Sequence, residues 1–359
     1  MCDFSQYGTP SAEWLALEPT LPPFPAEMAL ADQQKLSHTQ RETLAAEGFA
    51  LLADKLVTAD YAIPTRDGST VPARTYQLKE TKGQKGLLPV YLHLHGGGFY
   101  FGTLNSEDGI CARIAADTGA VVLNVNYRHT DTHAYPTAWH DVQDAFAWLH
   151  ADVEGRLGGD PARVVVGGIS AGAHLTASLT VAQHLATPGC EALAALPRPA
   201  GVVLMIPTTV MWQCYAGHAA RLADPGVTGS YAQCKDAPLL PVSRIHLYLD
   251  LLKVQDHDPD NLILNPGNIP PEKAKGLPPA TFGVAGLDPL RDEGLLYAKL
   301  LAEAGVPTNV NVFKGLPHGY RRFNVKLPHG SKVWDEVMHG GIKWALSNPQ
   351  PAPFEIKEH

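Results

Sequence analysis

Short runs of β-branched and apolar residues alternate along the chain with stretches whose apolar positions recur every three or four residues. The runs predict strands over 55–63, 71–77, 87–95, 120–127, a segment ending in Val164-Val165-Val166, 201–207, 280–285 and 308–313. The longer periodicity predicts helices over 137–152, 171–182, 291–304 and 333–346, with Gly305 as a C-terminal cap. Strands and helices in this alternation predict an α/β fold built on a mostly parallel sheet with helices on both faces.

Three segments break the alternation. Residues 1–54 form a polar, proline-broken arm ahead of the first strand, with helical patterns over 26–36 and 37–52 and Ser37 as an N-cap. Residues 208–261 scatter Met211, Trp212, Tyr215, Tyr231, Leu247, Tyr248 and Leu251 among polar positions without strand periodicity, which predicts a helical or irregular insertion. The chain therefore divides into the arm (1–54), a first core segment (55–207), the insertion, a second core segment (262–350) and a tail (351–359).

Composition adds exclusions. The 359 residues contain 45% hydrophobic and 18% charged side chains, an ordinary globular balance, and the net charge of −8 comes with no basic block that would suit nucleic acid or an anionic membrane surface. No stretch is apolar for long enough to span a bilayer, and the N-terminus lacks a basic region followed by an apolar one. The five cysteines are widely spaced without a Cys-x-x-Cys pair, so they read as free thiols in a cytoplasmic protein, with neither a disulfide framework nor a zinc site.

Candidate chemistry gathers at strand ends. Ser170 lies at the turn of Gly168-Ile169-Ser170-Ala171-Gly172, between a buried strand and a helix of small residues. Glycines two positions either side permit the sharp corner that presents a nucleophilic serine. The strand ending at His95 runs into Gly96-Gly97-Gly98-Phe99-Tyr100, a loop whose bare backbone N–H groups can hold an oxyanion. Asp288 and His318 each follow a later strand, so the order Ser, Asp, His suits a serine hydrolase in which Asp288 orients His318 and His318 takes the Ser170 proton. The N–H groups of Gly97, Gly98 and Ala171 would meet the tetrahedral oxyanion, each donor being worth about 2.7–4 kcal/mol. Asp292 and Glu293 rival Asp288 as the acid but fall in a first helical turn, where they serve the dipole. Of sixteen histidines most read as packing or solvent residues; His174 points away along its helix, and a metal site on His129 and His133 would need a helix that 127–136 does not predict.

Taken together these segments resemble the hormone-sensitive-lipase, or type IV, branch of the α/β-hydrolase carboxylesterases, a group similar to the arylacetamide deacetylases. The matching residues are His95-Gly96-Gly97-Gly98-Phe99, Tyr127-Arg128, Pro136 with Asp141-Val142, the Ser170 pentapeptide, Asp288-Pro289-Leu290-Arg291-Asp292-Glu293-Gly294 and His318-Gly319. The resemblance implies an eight-stranded core, a helical cap made by the arm and the 208–261 insertion, and hydrolysis of short- to medium-chain or aryl esters without a cofactor; the unusual cap also suits a natural-product ester. Two positions depart from the family pattern: Ile169 stands where an acidic residue is usual, and His129-Thr130-Asp131-Thr132-His133 replaces Leu-Ala-Pro-Glu-His.

Phe99, Tyr100, Met211, Trp212, Tyr215, Leu316 and Tyr320 are the candidates to line the substrate pocket, with core packing as their alternative role. The same serine, histidine and aspartate also serve an amidase, a lactonase or an acyltransferase, and the fold includes non-catalytic small-molecule receptors. The final helix can pair two copies into a homodimer or remain solvated.

Overall fold

The computed structural model describes residues 1–22, 28–83 and 85–359. Ala26 and Glu27, which open the first predicted arm helix, lie outside the described residues. Among the described residues nine strands form one sheet: β1 (Leu56–Pro64), β2 (Thr70–Leu78), β3 (Leu88–Leu94), β4 (Val121–Val125), β5 (Gly159–Ile169), β6 (Gly201–Met205), β7 (Ala280–Leu287), β8 (Thr308–Pro317) and β9 (Ile356–Glu358). Their spatial order is β1-β2-β4-β3-β5-β6-β7-β8-β9. The pairs β1/β2 and β2/β4 are antiparallel and every later pair is parallel.

The ninth strand corrects the eight-strand expectation and the reading of 351–359 as a plain tail. Ile356, Lys357 and Glu358 pair with Val310, Asn311 and Val312, and His359 N–H donates to the Val312 carbonyl at 2.9 Å. An edge strand offers unpaired backbone groups, and the tail satisfies them along β8.

The longer helices among the described residues are α1 (Leu30–Ala50), α2 (Asp108–Thr118), α3 (Thr137–Ala151), α4 (Ala171–Leu185), α5 (Val242–Asp250), α6 (Arg291–Glu303) and α7 (Pro328–Ala345). In the arm, one continuous helix replaces the two predicted, and Ser37 lies inside it rather than capping it. No proline or glycine interrupts 30–47, so nothing local stops the helix there. Helix α2 has no counterpart in the sequence reading; Gly119, at φ +71°, closes it in the left-handed conformation.

The sheet is covered on both faces. Leu92, Leu94, Val125, Val164 and Val166 pack against Phe146, Leu149, Leu175 and Leu179 of α3 and α4. On the other face Tyr76, Tyr91, Val122, Val203 and Phe313 meet Trp334, Val337, Met338 and Ile342 of α7. The apolar stripe of the last helix is thus turned inward, and exposed Lys332 and Glu336 pair on its outer side.

Two segments lie across the carboxyl ends of the strands. The chain start docks there: Cys2 bridges to Leu222, and Ser11 N–H donates to the Gly315 carbonyl at 3.0 Å. The connection between β6 and β7 carries α5, whose Tyr248 ring lies against Gly98 closely enough to leave no room for a Cβ. Among the described residues no helix is long and apolar enough to cross a membrane.

Candidate active site

Strand β5 ends at Ile169 and α4 begins at Ala171, so Ser170 makes the whole turn. Its backbone sits at φ +55°, ψ −114°, strain of order 1–3 kcal/mol for a residue with a Cβ. The flanking glycines are required by close approach: a Cβ on Gly172 would overlap the Leu94 carbonyl, and one on Gly168 would overlap the backbone of Gly172. The Ser170 N–H donates to Met205 O at 2.8 Å and fixes the turn against β6.

The ends of β7 and β8 supply the partners. His318 Nε2 lies 2.9 Å from Ser170 Oγ, and His318 Nδ1 lies 2.7 Å from Asp288 Oδ2. The second Asp288 oxygen accepts the Leu290 N–H at 3.0 Å, so the carboxylate is held at both ends. Asp288 is 1% exposed and His318 8%, which leaves the imidazole reachable and the acid shielded. A neutral histidine in this arrangement carries its proton on Nδ1, toward Asp288, and presents Nε2 as acceptor to the serine hydroxyl.

The rival acids are engaged elsewhere. Asp292 pairs with buried Arg291 at 2.7 Å and accepts the Ser230 N–H, also at 2.7 Å. Glu293 accepts the Thr209 N–H at 2.5 Å and faces the Tyr231 hydroxyl at 3.4 Å. Burial pushes the Glu293 carboxyl up to about 8 despite hydrogen bonds from Thr208, Thr209 and Val210, and the Asp288 charge adds to the rise.

That raised value makes a prediction about stability. The unfolded chain releases the Glu293 proton near its ordinary value of 4.5, well before the folded protein does. The stabilisation from this group is therefore fully present below that pH and is lost as pH rises toward about 8. Thermal melts of wild type and Glu293→Gln at pH 5 and pH 8 should show a smaller decline in the variant. Equal declines would mean that the carboxyl ionises normally in the folded state.

The glycine loop lies against the end of β5, since a Cβ on Gly96 would stand 2.8 Å from the Ile169 carbonyl oxygen, one residue before Ser170. Gly97 (φ +142°) and Gly98 (φ +61°) adopt backbone geometry that favours glycine, and no acceptor among the described residues takes the N–H of either glycine or of Ala171. The Ala171 N–H is the first of α4, where the helix dipole also favours an anion.

The structure divides the pocket candidates. Phe99 stacks on Trp139 (ring centroids 5.1 Å apart) and joins Met211 and Leu290 in one apolar cluster. Tyr100 meets Phe101 edge-on, and Phe101 meets Tyr248. Trp212 stacks on His246, and Tyr215 packs between His218 and Tyr231 in the insertion. Leu316 and Tyr320 are not brought to this group. Both pack on the α7 face with Phe313 and Trp334, and the Tyr320 hydroxyl donates to Gly330 O at 3.1 Å. Gly315 (φ +66°) breaks the alternation of β8 just before them, so position relative to His318 does not predict the face.

His174 does not point to solvent. Its ring is buried edge-on to Phe99 and Trp139, and burial lowers its pKa to about 4, so it is neutral beside the apolar cluster. Arg128 forks onto buried Asp141, and the Tyr127 hydroxyl donates to His95 O at 2.8 Å, which gives these motif residues a structural role. Among the described residues no group of three His, Cys, Asp or Glu side chains is arranged to hold a metal ion. Sequence reasoning missed Trp139 and the polar face of α1 and named Tyr231 only as part of the insertion, because none sits in a strand-end loop or a recognisable spacing.

Residues 91–322 match the family described as the α/β hydrolase fold. Versiconal hemiacetal acetate esterase of Dothistroma septosporum is 31% identical over 77% of this chain and 79% of its own length. Carboxylesterase NlhH of Mycobacterium tuberculosis is 33% identical over 74% of this chain and 76% of its own. The crystal structure of vibralactone cyclase superposes with a TM-score of 0.83 at 26% identity, covering 96% of this chain and 97% of that one. The chain belongs to the α/β-hydrolase fold family, in its hormone-sensitive-lipase branch of carboxylic ester hydrolases.

Proposed function

We propose that the chain hydrolyses small carboxylic esters through an acyl-enzyme formed on Ser170. The observation that carries this reading is the unbroken hydrogen-bonded series from Ser170 through His318 to Asp288; the N–H groups of Ala171, next to the serine in the chain, and of Gly97 and Gly98 in the glycine loop have no acceptor among the described residues, which supports it. Ser170 attacks the acyl carbon while His318 Nε2 takes its proton, and Asp288 stabilises the imidazolium. Gly97, Gly98 and Ala171 hold the oxyanion. His318 returns the proton to the leaving alkoxide, and water then repeats the sequence to release the acid.

Phe99 and Trp139 pack edge-on to His174, one helical turn after Ser170, and share a buried cluster with Met211, which supports a short acyl group, and an acetate esterase among the relatives supports the same size. Five cysteines without a disulfide support a reducing, cytoplasmic setting. Hydrolysis of p-nitrophenyl esters from acetate to palmitate should peak at the short end. A maximum at long chains would overturn the short-acyl reading.

The likeness to a cyclase named for a lactone, across nearly the whole chain, favours a second reading. An alcohol of the substrate itself would then capture the acyl-enzyme in place of water and close a ring. Hydroxy esters that yield lactone rather than hydroxy acid would establish it.

A further inference from the structure

Helix α1 reaches the glycine loop with one polar face. Gln34 Nε2 donates to Tyr100 O at 2.7 Å, and the Gly102 N–H donates to His38 Nε2 at 3.1 Å. Arg41 donates through both terminal nitrogens to Gly96 O at 3.2 Å, and the Thr103 hydroxyl donates to Glu42 Oε1 at 2.6 Å. Positions 34, 38, 41 and 42 share a face by helical periodicity.

Arg41 differs from the others in what stands behind it. Its guanidinium pairs at 2.7 Å with Glu107, a carboxylate 1% exposed, whose second oxygen lies 3.0 Å from His93 Nε2. Burial alone would raise the Glu107 carboxyl, but the His93 bond and the Arg41 charge outweigh it and hold the group at about 2. The pair is therefore charged over the working pH range, which fixes the guanidinium against the Gly96 carbonyl. His95 Nδ1 also lies 3.2 Å from that oxygen. A neutral His95 protonated at Nδ1 shares the hold on that oxygen, but it brings no charge, so Arg41 is the cation on the carbonyl.

The Gly96 carbonyl and the Gly97 N–H are the two ends of one planar trans peptide and point in opposite directions. Holding the oxygen therefore aims the N–H. The next peptide is pinned differently: Gly97 O accepts the N–H groups of Tyr100 and Phe101 at 3.1 and 2.9 Å, a local turn that aims the Gly98 N–H. Without an outside hold on Gly96 O, the first peptide of a three-glycine run would be free to rotate. A cation on the carbonyl also draws electron density through the amide and strengthens the N–H as a donor.

We propose that Arg41 is a positioning residue of the oxyanion hole, a charged side chain of the arm that orients and polarises the Gly96–Gly97 peptide. The proposal rests on the reading of the Gly97 N–H as an oxyanion donor. It makes the arm part of the chemistry as well as a cover over it: α1 supplies the charge, and α2 begins just after the Glu107 that holds it. The Arg41 side chain is 28% exposed, so a small cation can reach its place from solvent.

The test uses the full chain with p-nitrophenyl acetate and a trifluoromethyl ketone that adds to Ser170. Arg41→Ala should lower kcat by about 10- to 100-fold with KM within about 3-fold, and weaken the ketone adduct by the same factor as kcat/KM. Added methylguanidinium should restore part of the lost rate. Arg41→Lys, which keeps a charge near the carbonyl, should fall between wild type and Arg41→Ala. An alanine variant with unchanged kcat and ketone affinity, or a loss that methylguanidinium leaves untouched, would overturn the proposal while the oxyanion assignment stood. If Arg41→Ala does not fold, a lysine variant altered only in KM overturns it equally. A wild-type enzyme that forms no ketone adduct would instead overturn the underlying reading of the site.

Discussion

Ser170→Ala is expected to lower kcat for a short p-nitrophenyl ester by about 10⁵- to 10⁶-fold, leaving the fold intact. Among the described residues the Oγ atom bonds only to His318 Nε2, so removing it strands no other buried group there. Alanine also keeps a Cβ in the same strained backbone conformation, and neither flanking glycine is disturbed. The variant should melt within a degree or two of wild type. The rate that remains measures the N–H groups of the glycine loop acting on a water attack, which is known to persist when such a nucleophile is removed. A Ser170→Ala enzyme that retained even a hundredth of the wild-type rate would place the nucleophile elsewhere.

Asp288→Asn carries the second large effect, a fall in kcat of about 10⁴-fold. The substitution preserves shape and the contact with the Leu290 N–H, but an amide nitrogen facing His318 Nδ1 turns the imidazole to its other tautomer. His318 Nε2 then carries the proton and can no longer accept one from Ser170. Asp292→Asn provides the contrast. It weakens the pair with fully buried Arg291, at a stability cost of about 3–5 kcal/mol, yet touches no atom of the Ser170–His318–Asp288 series. Its folded fraction should keep kcat within about 10-fold of wild type, since it bonds neither His318 nor Ser170. Similar losses of kcat in the two variants would show that the acid acts through the bulk field and not through the tautomer.

The parts of the site that were legible in the sequence share a physical origin. The strand-turn-helix around Ser170, the glycine loop after β3 and the placement of Asp288 and His318 after strands all follow from local periodicity and from glycine at backbone positions that a side chain would block. Each signal lies within about ten consecutive residues, and a parallel sheet brings every strand end to the same edge. The choice of Asp288 over Asp292 and Glu293 is legible for the same reason, because one follows a strand and the others open a helix.

What depended on the tertiary structure involves partners far apart in the chain or a choice between two faces. Arg41 is 55 residues from Gly96 and 66 from Glu107, and no spacing rule links a mid-helix arginine to either. Leu316 and Tyr320 stand beside His318 in sequence but turn to the α7 face, because the Gly315 kink resets the alternation and Trp334 offers an aromatic surface there. The tail 356–358 is too short and polar to read as a strand, and it becomes one only because β8 presents an open edge. The sequence by itself determined most of the core strands and helices and the order in which the chemistry follows, since turn geometry and amphipathicity are properties of neighbouring residues. The packing of distant segments decided which peptide is held by a charge, which aromatic residues join which face of the sheet and where the sheet ends, because these depend on the few contacts that loop closure makes worthwhile.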